Sequence, residues 1–180
     1  MNKTIHHRND FEGMRKAGHL AASTLDMLVD IVKPGVTTEE VDNKAFEFIN
    51  KNGGLIGPLF YKGFPKSVCT SINHVICHGI PSSRILESGD IVNIDVTVIL
   101  DGWHGDTSRM FPVGNISSKA QRLIDCTFEA MHKGIEEISP GKKLGDLGFA
   151  IQSFAEEQKY SVVRDFCGHG LGKVFHEFPN

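Results

Sequence analysis

Between residues 91 and 111 the chain alternates between apolar and polar positions with a period of two. Val92, Ile94, Val96, Val98 and Leu100 fall on one face, which is wholly aliphatic. Ile91, Asn93, Asp95, Thr97 and Ile99 fall on the other, whose centre is polar. Strand side chains point to opposite faces in turn, so this pattern predicts a strand with one face in a core. Asp101-Gly102 then supplies a two-residue hairpin turn, because a type I′ turn needs positive φ at both central positions. Such a turn sets Leu100 opposite Trp103, Thr97 opposite Asp106 and Asp95 opposite Ser108. Asp95 and Asp106 become diagonal neighbours on one face, roughly 7 Å apart.

Upstream the period changes to that of a helix. Asn9 or Asp10 is placed to cap a helix running to about Val32, with Met14, Ala17, Ala21, Leu25, Leu28 and Val32 on one side. Pro34-Gly35 stops it. Thr37 with Glu40 forms a capping box for a second helix that turns Val41, Ala45, Phe48 and Ile49 inward and ends at Asn52-Gly53-Gly54. Residues 55–66 read as a loop with an aromatic cluster. Strand-like runs follow at 67–72 and 74–78, the second ending at His78, and a turn surrounds Pro81-Ser82-Ser83.

After the hairpin the pattern restarts. Ser117 or Ser118 caps a helix with Ile124, Phe128, Met131, Ile135 and Ile138 inward, Pro140-Gly141 stops it, and another helix runs from about Leu144 to Gln158. Pro140 follows Pro34 by 106 positions. The chain therefore reads as an αα-then-β unit occurring twice, with Val162, Val163 and Phe166 opening the second β portion. The first unit spans about 10–115 and the second about 116–180, within a single domain over 1–180. The second has far fewer β residues, so it is expected to be incomplete, its counterparts of Asp95 and Asp106 lying near positions 201 and 212.

Composition narrows the class. With 180 residues, 40 % of them hydrophobic, the chain can bury a core without staples. A net charge of −3 argues against general nucleic-acid binding. Cys69, Cys77, Cys126 and Cys167 form no C-x-x-C pair, which disfavours a zinc–thiolate or redox motif and suits a reducing compartment. The opening MNKTIHHRND has no apolar signal region, and no run is long enough to span a bilayer. A cytoplasmic location is expected.

The chemistry gathers at carboxylates and imidazoles. Two aspartates this close repel unless one is protonated, water screens them or a cation sits between. The hairpin alone leaves open a plain wet sheet face or a pair of metal ions bridged by carboxylates. His78 lies in VICHGIP, and His169 and His176 lie in the glycine-rich CGHGLGKVFHE. Imidazole with carboxylates makes a plausible transition-metal set.

Three stretches in order, KSVCTSINHVICHGIP, GDIVNIDVTVILDGWHGDTSRMF and CGHGLGKVFHEFP, closely resemble the type I methionine aminopeptidases. The resemblance covers the chain from about residue 10. It implies an α+β pita-bread fold, a pseudo-twofold repeat of αα-then-β units around a central antiparallel sheet. It implies two divalent metal ions, Mn, Fe, Co or Zn, held by Asp95, Asp106 and His169. Two further glutamate ligands of the family, one of them the general base, fall in the second half and are not among these residues. The 180 residues by themselves are therefore expected to be inactive.

The resemblance further makes His78 and His176 catalytic histidines beside the metals. It assigns the methionine side chain to Tyr61, Phe64, Cys69 and Phe175, with Phe64 standing where the family often has tyrosine. Asn73 and Val75 match a loop that holds a monovalent cation through backbone carbonyls. The implied reaction is hydrolytic removal of an initiator methionine from nascent polypeptides, with the ribosome a further expected partner and a monomeric state expected; no specific nucleic acid and no membrane is implied. Two rival readings share the fold. One is a proline-specific peptidase, which carries a large N-terminal domain, whereas this chain enters its first helix by residue 10. The other is a non-catalytic binding module, whose relatives lose metal ligands.

Overall fold

The computed structural model describes residues 5–179. The chain falls into two compact units. One runs to Ile116 and returns from Gly168; the other is Ser117–Cys167.

In the first unit, helix α1 spans Arg8–Leu28 and helix α2 spans Thr38–Lys51. The start of α1 differs slightly from the sequence expectation. His7 is the cap, and Asp10 serves as the third helical residue, accepting from the His7 backbone N–H at 2.9 Å. Its end comes early: residues past Leu28 turn before Pro34, and Gly35 takes φ +96°. Ala17, Ala21, Leu25 and Leu28 are buried as the helical period requires, while Met14 packs at the margin of the core. The capping box of α2 forms, with Glu40 N–H donating to Thr37 Oγ1 at 3.1 Å and Thr37 N–H donating to Glu40 at 2.7 Å.

The sheet is antiparallel and centred on β3 (Ile91–Leu100). Strand β4 (Trp103–Pro112) lies along one side, paired from Leu100↔Trp103 through Thr97↔Asp106 and Asp95↔Ser108 to Ile91↔Pro112. The register predicted from the Asp-Gly turn is the register observed, with Asp101 and Gly102 both at positive φ. Along the other side lie two short strands end to end, β1 (Leu55–Ile56) and β2 (Cys69–Ile72). Val92, Ile94, Val96 and Val98 are fully buried and join one core with α1 and α2. Burial of each of these side chains stabilises the unit by about 1.5–3 kcal/mol.

Several expectations need correction. Residues 55–66 are not all loop: β1 pairs with β3, and Tyr61–Gly63 form a 3-10 turn. The run 74–78 is not a strand. Asn73 and His78 both take positive φ, which turns the backbone out of any ladder. His78 thus sits in a loop rather than at a strand end. Residues 161–180 form no strand among those described, only an isolated antiparallel bridge between Gly170 and Glu177.

The second unit is a helical hairpin, α3 (Ser118–Glu136) and α4 (Leu144–Glu157). Ser117 caps α3, and Gly141 carries the positive φ of the Pro-Gly break, as Gly35 does in the first. At the positions equivalent to Thr37 and Glu40 only half of a capping box forms: Lys143 N–H donates to Asp146 at 2.8 Å, while the lysine side chain has no acceptor to return the bond. The stripe expected to face inward does not: Phe128, Met131, Ile135 and Ile138 are exposed. The helices meet instead through small residues. Ala130 and Gly134 are buried, and a β-carbon on Gly134 would stand 2.7 Å from Ile151.

Candidate metal centre

One cleft of ≈450 Å³ in the first unit is lined by Asp95, Asp106, His169, His78, His176, Tyr61, Phe64, Cys69 and Phe175. Different elements bring them there. Asp95 comes from β3 and Asp106 from β4, on the polar face of the hairpin. Cys69 comes from β2, directly opposite Asp95 in register. Tyr61 and Phe64 come from the 3-10 turn and its exit. His169, Phe175 and His176 come from the irregular segment bridged at Gly170 and Glu177.

The two carboxylates behave as a strained pair. Asp95 is pushed up to about 7, by burial first and then by the neighbouring Asp106 charge. Thr97 Oγ1 donates to Asp106 Oδ1 at 3.0 Å and orients that side chain. The other Asp106 oxygen, Oδ2, faces His169 Nε2 at 3.6 Å. His169 Nδ1 is 2.9 Å from the Gly170 carbonyl, which can only accept. That contact places a proton on Nδ1 and turns Nε2 toward Asp106, the ring orientation that a metal-ligating imidazole requires.

An oxygen-rich pair that resists joint ionisation, next to an open imidazole nitrogen, fits a divalent cation. The neighbouring thiol does not compete, since burial and the Asp95 charge push Cys69 up to about 12. Among the described residues no three His, Cys, Asp or Glu side chains close around one point as a metal group.

The imidazole side of the cleft is an aromatic stack. His169 and His176 have ring centroids 4.3 Å apart, and Phe175 lies 4.4 Å from His176. Tyr61 stacks on His176 at 5.2 Å, and its hydroxyl hydrogen-bonds His176 Nδ1 at 2.8 Å. Desolvation, followed by the nearby His169 and Lys62, lowers the His176 pKa and favours its neutral form. His78 sits with its Nδ1 3.7 Å from the Cys77 sulfur.

Asn73 and Val75 are elsewhere, beside a smaller hollow of ≈260 Å³. Asn73 holds the turn rather than the main cleft, donating to Asp90 at 2.8 Å and accepting from Ile91 N–H at 3.0 Å. Thr70, at the same hollow, has a buried hydroxyl without a hydrogen-bond partner among the described residues. Two residues near the main cleft gain a role only from the structure. Thr97 was legible in principle, because the hairpin register sets it opposite Asp106. His104 was not: it is buried behind Phe175, and both its backbone N–H, at 2.8 Å, and its Nδ1, at 3.2 Å, reach the Gly172 carbonyl.

The pattern of metallopeptidase family M24 matches residues 12–180, and the chain belongs to that family. It is 59 % identical over 180 residues to a methionine aminopeptidase of Rickettsia prowazekii, covering all of this chain and 70 % of that protein. Methionine aminopeptidase A of Synechocystis is 54 % identical over 98 % of this chain and 70 % of its own length. Among solved structures, the crystal structure of the Rickettsia prowazekii methionine aminopeptidase superposes with a TM-score of 0.98 at 60 % identity, over 99 % of this chain and 72 % of that one. The α+β fold, with four helices among the described residues and an antiparallel sheet, is the pita-bread fold of these relatives.

Proposed function

We propose that this protein is a metal-dependent methionine aminopeptidase and that the cleft at Asp95, Asp106 and His169 is its active site, within a single catalytic domain. The observation that carries the reading is the convergence of two carboxylates, three imidazoles and an aromatic wall on one cleft. Family membership supports dependence on divalent metal. Asp95, Asp106 and His169 are the residues proposed to hold it, with Mn, Fe, Co or Zn all compatible with oxygen and imidazole donors. A divalent ion held by these residues would supply Lewis acidity toward the scissile carbonyl and a more acidic water.

The chain's own residues would do the rest. Tyr61, Phe64, Cys69 and Phe175 take the thioether side chain, since sulfur packs well on ring edges. With Tyr61 O–H on Nδ1, His176 keeps its proton on Nε2, where it can be donated to the carbonyl oxygen as negative charge develops. His78 binds the amide nitrogen and assists its departure. Thr97 holds Asp106 in orientation. The carbonyls of Asn73 and Val75 are proposed for a monovalent cation. Nascent polypeptides beginning with methionine are the proposed substrates, encountered at the ribosome in the cytoplasm by a monomeric enzyme. Among the described residues no helix is long and apolar enough to cross a membrane.

The test uses the protein at its natural length, supplied with Mn or Co. It should release methionine from Met-Ala-Ser and leave an Ala-Pro dipeptide intact. Cleavage of the proline substrate alone would replace this reading with that of a proline-specific peptidase. No hydrolysis of either, with metal bound, would leave a binding module.

A further inference from the structure

The segment that carries His169 and His176 has no regular secondary structure, so something else must hold its geometry. Among the described residues its ladder contact is the isolated bridge Gly170↔Glu177, where Glu177 N–H donates to the Gly170 carbonyl at 2.9 Å and Gly170 N–H donates to the Pro179 carbonyl at 2.7 Å. Each bridge residue is the chain neighbour of one imidazole: His169 precedes Gly170 and His176 precedes Glu177. The bridge therefore sets the spacing of the two rings.

One side of this segment is tied to the hairpin by His104 N–H, which donates to the Gly172 carbonyl at 2.8 Å. The opposite tie comes from the far end of the sequence. His6 Nε2 lies 2.9 Å from Glu177 Oε2, and both side chains are largely shielded, at 19 % and 12 % exposure. A carboxylate oxygen only accepts, so Nε2 holds the proton. The His6 ring stands edge-on to Trp103 at 5.5 Å, while Lys173 lies 4.9 Å above the same indole. The pair also presses on Gly172, where a β-carbon would stand 2.7 Å from Glu177 Oε2 and 2.8 Å from His6 Nε2.

The anchor is itself registered to the metal centre. A β-carbon on Gly13 would stand 2.4 Å from Trp103, so α1 lies directly on the indole. His6 precedes α1 by two residues, and Trp103 is in the strand that carries Asp106.

We propose that the His6–Glu177 hydrogen bond is a clasp that positions His169 and His176 over the carboxylate pair, making His6 a positioning residue for the reaction. The activity arm rests on the aminopeptidase reading above; the exchange arm does not. The mechanism is local. Freed from His6, the Glu177 carboxylate loses its partner, the bridge opens more often, and the imidazoles spend less time in productive geometry.

The test compares His6→Ala, His6→Phe and His6→Gln in the protein at its natural length. Phenylalanine keeps the aromatic contact with Trp103 without the hydrogen bond, whereas glutamine keeps a donor at similar reach. Amide exchange at Gly170 and Glu177 should quicken about tenfold in the Ala and Phe variants, reporting more frequent local opening. Their kcat on Met-Ala-Ser should fall about tenfold with KM within about twofold, since misplacement of reacting groups acts on the chemical step. His6→Gln should restore both readouts to within about threefold of wild type. Unchanged exchange at Gly170 and Glu177 in Ala and Phe overturns the clasp, as does a Gln variant as loose as Ala. A wild-type protein without aminopeptidase activity overturns the functional reading instead, and the exchange comparison still decides the clasp.

Discussion

Gly105 of β4 lies against the backbone of Ala17 in α1 with no room for a side chain between them. A β-carbon on Gly105 would stand 2.2 Å from both the carbonyl carbon and the oxygen of Ala17. Asp106 is the next residue, so this contact sets how the helix and a candidate ligand sit together. Backbone cannot yield as the end of a flexible side chain can. Gly105→Ala should therefore destabilise the protein by roughly 1–3 kcal/mol, the usual cost of overpacking. Urea unfolding measures it, and a midpoint equal to that of wild type would show that α1 moves aside freely.

Asp106 is a proposed metal ligand with one oxygen accepting from Thr97 and the other facing His169. Asp106→Asn removes a negative charge and keeps the shape. Metal titration by calorimetry should show weakened binding, and methionine release should be abolished. Undiminished turnover with confirmed metal content would take Asp106 out of the site.

His176 and His78 separate from the proposed ligands in what their loss should do. His176→Ala and His78→Ala should each lower kcat by roughly 10²–10⁴-fold, the range expected for lost proton transfer or oxyanion assistance. Metal content should remain near wild type in both, whereas His169→Ala should lose metal. Metal loss in the His78 or His176 variant would mean that it ligates directly.

Asp42 offers a pH test remote from the cleft. Its side chain is buried in α2, 4 % exposed, and Oδ1 accepts from the Ser67 and Val68 N–H groups at 2.7 and 3.0 Å. Desolvation by burial raises its pKa despite those hydrogen bonds. The folded state therefore holds this proton more tightly than the unfolded chain does. Its contribution to stability is greatest below the unfolded carboxylate pKa and is lost as pH rises through the folded one. Asp42→Asn keeps the acceptor and removes the charge, so stability near neutral pH should be equal or higher and this pH-dependent loss should vanish. Asp42→Ala leaves two buried N–H groups unpaired and should cost about 1–3 kcal/mol. Denaturant unfolding of both variants across pH measures this, and an Asn variant as unstable as Ala would refute the argument.

Much of the fold was legible in sequence, and for one reason: the informative interactions were local. Alternation plus Asp101-Gly102 determined the hairpin register, because a two-residue turn leaves no freedom of pairing, and with it the shared face of Asp95 and Asp106. Thr37 with Glu40 and the two Pro-Gly breaks marked helix ends through interactions spanning a few residues. Where local pattern met a tertiary choice, it failed. Residues 74–78 read as a strand, but the positive φ at Asn73 and His78 turns them into a loop. The apolar stripe of α3 lies exposed, and α3 meets α4 at Gly134 instead.

The motifs named His169 and His176, yet their placement came only from the folded chain. Neither lies on a helix or strand, and the groups that hold them are distant in sequence: Tyr61 on His176, His104 on Gly172 and His6 on Glu177. Periodicity reports which way a regular backbone faces. It carries no information about an irregular segment whose geometry is set by hydrogen bonds from residues up to 171 positions away. The sequence by itself thus determined the carboxylate hairpin, while the tertiary structure alone decided how the imidazoles meet it.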